Sequence, residues 1–147
     1  MFIFQKTYTR NGLFKGRKNF LVVTASTYVK LQDAYVAETG TTVGDWAKIG
    51  YNMPGSNNFT YEEDALKGGS ALLTALGSSG KIGWKTSNKA KLNDCPANSL
   101  WTITLKEASA AESTKGNPIA YTAANPATGT NGENCAGLTP NFTSIGK

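Results

Sequence analysis

The chain has 147 residues, 39% of them hydrophobic, which suits one domain with a buried core and is short for two. Charged residues make up only 17%, Thr, Gly and Asn abound, and there is no His. Such a composition leans toward export, and the missing imidazole excludes most Ser–His, Cys–His and zinc-hydrolase chemistry. The net charge of +5 belongs to residues 1–20, where Lys6, Arg10, Lys15, Arg17 and Lys18 stand without an acid; the rest of the chain is balanced. A neutral body gives no support to nucleic-acid binding. Residues 1–19 are read as a basic tail, a leader or a remnant, and residues 20–147 as the domain.

The first predicted element is a helix from Phe20 to about Glu38. Leu21, Ala25, Tyr28, Leu31 and Tyr35 recur at steps of three and four, with Val22, Val29 and Val36 beside them, so one face is apolar. Lys30, Gln32, Asp33 and Glu38 fall outside that stripe. Gly40 is the expected stop, and the β-branched run Thr41-Thr42-Val43 disfavours continuation. The C-terminal part of the stripe is expected to pack on the body, and the part near Leu21 and Val22 to project.

Beyond the helix the period changes. Gly44 to Asn58 reads as a connection with a short extended piece, closed by a turn at Pro54-Gly55-Ser56-Asn57. Phe59-Thr60-Tyr61, Lys81 to Thr86, Leu100 to Leu105 and Ile119 to Thr122 are candidate strands, the middle two by alternation of apolar and polar residues. Ala65 to Leu76 fits either a short helix or irregular cover. From Ala123 onward Asn, Gly, Thr and Pro dominate, as in a long loop that needs a staple. One helix and several short strands joined by tight connections give an α+β fold: an N-terminal amphipathic helix on an antiparallel sheet of about four strands.

Cys95 and Cys135 match neither a CxxC redox motif nor a metal motif. They are read as a disulfide, the alternative being two free thiols. A cross-link of that span stabilises by about 4 kcal/mol in the chain-entropy model, and it implies an oxidising compartment.

The order of these parts resembles the type IV pilins and pseudopilins over roughly residues 23–147. The resemblance rests on Thr27 to Tyr35 in the helix, Ile49-Gly50-Tyr51 before Pro54-Gly55-Ser56, and Phe59-Thr60-Tyr61. It continues through Asn93-Asp94-Cys95-Pro96 ahead of the Trp101 strand, and ends with Cys135 before Leu138-Thr139-Pro140-Asn141-Phe142. It implies a structural subunit of a surface filament, held in the inner membrane before assembly and displayed outside the cell afterwards. It also implies other pilin subunits as partners, Cys95 and Cys135 bounding the C-terminal region, and Leu21, Ala25, Tyr28, Leu31 and Tyr35 as the assembly face of the helix.

The N-terminus departs from that family. Lys15-Gly16-Arg17-Lys18-Asn19-Phe20 puts Arg after the Gly and no acid at the fifth place. The uncharged run from Asn19 to Val29 is eleven residues, where about twenty cross a bilayer. The membrane is therefore expected to be reached only through a segment absent from this sequence, and the chain alone to remain a monomer or weak oligomer.

No catalytic residue, metal ligand or cofactor is expected. Glu62-Glu63-Asp64 resembles half of a glycosidase pair or a calcium site, but no second acidic cluster completes either, and a solvated turn explains it. The Asn-Phe-Thr triplets at 58 and 141 match a glycan acceptor pattern that this composition produces by chance. Trp46, Trp84 and Trp101 with Tyr51, Tyr61 and Tyr121 offer a second function, an aromatic platform for a carbohydrate or other surface ligand. Core packing is the ordinary use of such rings, and exposed coplanar rings would mark the platform.

Overall fold

The computed structural model describes residues 2–53, 58–64, 66, 69–92, 94–113, 117–126 and 133–147, with residues 2–19 described by their helical backbone alone. The expected turn at 54–57 lies outside the described residues. Helix α1 spans Phe2–Thr39 and so crosses residue 20, where the sequence led us to place its start. Hydrophobic periodicity finds only the part of a helix that buries a stripe. Once a helix is nucleated, adding a residue costs little, and residues 2–19 contain no Pro, with Gly12 and Gly16 each costing only about 1 kcal/mol. Its stop is as expected: Gly40 takes φ 79° and its N–H donates to Val36 O at 2.7 Å.

The chain leaves α1 into strand β1, Thr42–Gly44, and a short helix α2, Trp46–Ile49. Asp45 caps α2 by accepting from Lys48 N–H at 2.8 Å. Strand β2 spans Phe59–Glu62, and β3, Ser70–Leu72, pairs antiparallel with β1 before a 3-10 turn at Leu73–Leu76. The β1–β3 ribbon was not foreseen. Its strands have three residues each, too short for a period-two pattern to register.

Strands β4, Lys81–Asn88, and β5, Leu100–Glu107, are followed by a helical turn α3, Ala110–Ser113, and by β6, Ile119–Ala124. With β2 they form one antiparallel sheet in the order β2-β4-β5-β6. All four of its strands fall on the predicted segments. The α+β class and the helix-on-sheet arrangement are therefore observed. The C-terminal segment carries a helical turn α4, Glu133–Ala136, and a 3-10 turn at Phe142–Ser144.

The sheet has one wet face and one dry one. Phe59, Trp84, Thr86, Trp101, Ile103, Leu105, Ile119, Tyr121 and Ala123 are buried on the dry face. Thr60, Glu62, Lys85, Thr102, Thr104, Lys106 and Thr122 lie on the other, fully or partly exposed. Helix α1 and the C-terminal segment cover the dry face together. Gly83 sits at a bulge between Ile82 and Trp84, where a Cβ would run into the Tyr28 hydroxyl of α1 and come within 2.9 Å of Leu105 Cδ1. A glycine there lets helix and sheet approach.

Candidate functional site

Helix α1 presents two faces along its described length. Leu21, Ala25, Tyr28, Val29, Gln32 and Val36 are buried, whereas Leu31 and Tyr35 are half-buried against the core. This corrects the expected division of the stripe. Leu21, placed at the projecting end, is 2% exposed, and the most deeply packed side chains extend from there to Val36. At that end Phe20 meets the ring of Tyr61 of β2 edge-on at 6.2 Å and the Tyr51 hydroxyl donates to Thr24 O at 2.9 Å, so the body reaches past Leu21. Of the residues expected to form an assembly face, Leu21, Ala25 and Tyr28 are thus committed to the chain's own core.

On the opposite side Phe20, Val23, Thr27, Lys30, Ala34 and Ala37 follow steps of three and four and are exposed. Phe20 is 37% and Val23 59% exposed, among the large apolar side chains that the described surface leaves in water. Their rotational phase is legible in the sequence, but the pattern of apolar positions gives no reason to prefer the face bearing Lys30.

Gln32, excluded from the stripe as polar, is fully buried. Its Oε1 accepts from Gly44 N–H at 2.9 Å and its Nε2 donates to Gly44 O at 2.9 Å, so the side-chain amide pairs with β1 as a neighbouring strand would. Asp33 accepts at 2.7 Å from the hydroxyl of Tyr121. These polar contacts fix α1 to both sheets.

Cys95 and Cys135 are joined in a disulfide, buried at both ends. Asn88 organises the approach to it: Nδ2 donates to Pro96 O at 2.8 Å and Oδ1 accepts from Ser99 N–H at 2.8 Å. Beyond the bridge, Thr139 Oγ1 accepts from Trp101 Nε1 at 3.0 Å, and the ring of Phe142 lies 6.1 Å from that of Trp84. The staple thus holds a segment that completes the core.

The aromatic residues turn inward. Trp84, Trp101, Tyr51 and Tyr121 are buried and Trp46 and Tyr61 are half-buried. Contacts among them are edge-on or tilted, with Trp46 and Tyr51 at 80° and Tyr61 and Trp84 at 54°. Trp84 Nε1 donates to the Tyr51 hydroxyl, which donates in turn to Thr24 O. Burial raises the Tyr51 hydroxyl to a pKa of about 12, partly offset by these bonds. It pushes Tyr28 and Tyr121 higher still, Tyr121 with the added effect of the Asp33 carboxylate.

The acidic run has distributed roles. Glu63 Oε1 accepts from Trp46 N–H at 2.9 Å at the start of α2, while Glu62 and Asp64 lie 3.5 and 3.6 Å from Lys85 Nζ. These groups border a cleft of about 350 Å³ with Trp46 and Tyr61. Among the described residues, no group of three or more Asp, Glu or Cys side chains is arranged to hold a metal ion. Among the same residues no helix is long and apolar enough to cross a membrane.

Comparison of the chain with protein-family models, with curated proteins and with solved structures found no match.

Proposed function

We propose that the chain is a structural subunit of a type IV pilus or pseudopilus-like surface filament, acting through self-assembly and display. The observation that carries this reading is the division of α1. One face is consumed by the sheet, and the other keeps Phe20 and Val23 in water, in line with Thr27, Lys30 and Ala34. A long helix whose outer side carries exposed apolar residues gains from burying them against a second copy. The buried disulfide supports display in an oxidising setting outside the cell. The inward-turned rings give the carbohydrate platform no comparable support.

The experiment is cysteine substitution at Val23 and Ala34, followed by bis-maleimide cross-linking of cells that make the protein. Ladders of multimers in the fraction sheared from the surface are expected. Monomers alone, with the variant folded and exported, would reject filament assembly through this helix.

A further inference from the structure

A cleft of about 370 Å³ lies beside the outer strand of the sheet, between Asp33 of α1, residues Ile119 to Tyr121 of β6, and the turn at Gly146 and Lys147. Asp33 Oδ1 accepts from the Tyr121 hydroxyl at 2.7 Å and from Asn117 Nδ2 at 3.2 Å. Two donors on one oxygen fill its lone pairs and fix the carboxylate. Its Oδ2 meets no described donor, and no described cation forms an ion pair with Asp33.

The strand adds further acceptors. Ala108 N–H donates to Pro118 O at 2.9 Å. Antiparallel alternation then turns the main-chain groups of Ala120 and Thr122 toward β5 and those of Ile119 and Tyr121 away from it. Ile119 N–H obeys this alternation by donating to Asn117 Oδ1 at 3.3 Å. The carbonyl oxygens of Ile119 and Tyr121 therefore turn outward beside Asp33, and no described donor meets them. Tyr121 N–H turns the same way, open to an acceptor on a ligand.

A carboxylate and two carbonyls call for a ligand with one positive charge and several N–H donors. A quaternary ammonium has the charge without the donors. A guanidinium needs two open oxygens of one carboxylate for its fork, and Oδ1 is already filled. We propose that this cleft binds a primary ammonium group on an alkyl chain, as the lysine side chain of a partner polypeptide presents it. The ammonium pairs with Asp33 Oδ2 and the outward carbonyls, the stem lies along the outer edge of β6, and a main-chain carbonyl of the partner accepts from Tyr121 N–H. This site is independent of the outer face of α1.

The test is amide chemical-shift mapping of the whole chain with three probes at matched ionic strength: n-butylammonium, tetramethylammonium and N-acetyl-lysine methylamide. Saturable shifts at Asn117, Ile119, Ala120 and Tyr121 with butylammonium, and none with tetramethylammonium, are expected. Asp33→Asn should weaken butylammonium binding at least about tenfold, the loss of a charge-assisted hydrogen bond. Asn117→Lys, which carries a competing cation into the lining of the cleft, should weaken it as well and serves if Asp33→Asn does not fold. Tighter binding of the lysine amide than of butylammonium supports the polypeptide source, and equal or weaker binding overturns that part. The site itself is overturned by unsaturable shifts, by equal response to tetramethylammonium, or by binding that the folded variants leave unchanged.

Discussion

Single side chains decide how α1 meets the rest of the molecule, and three hydroxyl or amide groups separate cost from benefit. Gln32 is fully buried and satisfied by Gly44 on both sides. Gln32→Ala would open a cavity and strand the main-chain groups of Gly44, so a loss of about 2–4 kcal/mol is expected in urea unfolding. Tyr61 is the opposite case. Its hydroxyl oxygen is buried with no hydrogen-bond partner among the described residues. Burial raises its pKa to about 12, and the neighbouring Thr24 and Thr86 hydroxyls donate to main-chain carbonyls instead. Tyr61→Phe should therefore be neutral or stabilising by up to about 1 kcal/mol. Tyr51→Phe, which removes the acceptor for Trp84 and the donor to Thr24 O, should cost about 1–3 kcal/mol. The same tyrosines set the alkaline limit of the fold. An unfolded tyrosine loses its proton near pH 10.0, while burial keeps Tyr28, Tyr51, Tyr61 and Tyr121 protonated above it. Above pH 10 the folded chain binds more protons than the unfolded one, so stability falls as pH rises. The expected slope is about 1.4 kcal/mol per pH unit for each fully buried group. Urea midpoints should be insensitive to these groups below pH 10 and drop steeply between pH 10 and 12; a flat profile there would contradict their burial as neutral groups.

At the scale of elements, the seating of α1 on the sheet rests on one glycine. Gly83→Ala would drive its methyl into the Tyr28 hydroxyl, and a loss of about 1–3 kcal/mol is expected from overpacking. Tyr28→Phe removes the offending oxygen, so the double variant should lose less than the sum of the singles, a coupling that a double-mutant cycle reads directly. The four strands of the main sheet and the buried run of α1 were legible because alternation and the three-to-four step each leave a long trace. What was not legible has a physical reason in each case. The β1–β3 ribbon is held by Gln32 rather than by a pattern of its own. The bulge at Gly83 is a demand made by Tyr28, fifty-five positions earlier in the chain. The cleft at Asp33 joins α1 to β6 through contacts such as Tyr121 to Asp33, which only the assembled fold brings together. Of the site residues, the sequence offered the cysteine pair and the helical stripe. It misassigned Leu21, because periodicity reveals which face is buried and not how far along the helix the cover extends.

For the whole molecule, the cross-link between Cys95 and Cys135 determines whether the C-terminal segment belongs to the folded unit. The bridge spans forty positions and encloses both β5 and β6. Beyond it, Leu138, Phe142 and Ile145 are buried, and Trp101 relies on Thr139 for the partner of its indole N–H. Opening the bridge adds about 4 kcal/mol of freedom to the unfolded chain in the chain-entropy model, a large share of a small domain's stability. The sheet retains its ladders without the bridge, since β4 pairs with both β2 and β5. Among the described residues, the segment after Cys135 is held by short helical turns and side-chain contacts. Cys95→Ser with Cys135→Ser should therefore lower the unfolding free energy by about 4 kcal/mol. Amide exchange should also quicken first in residues 136–147, while β4 and β5 keep protection close to the new global limit. Loss of protection spread evenly over sheet and C-terminal segment would mean that the segment is an inseparable part of the cooperative core, and that the cysteine pair does not set its docking.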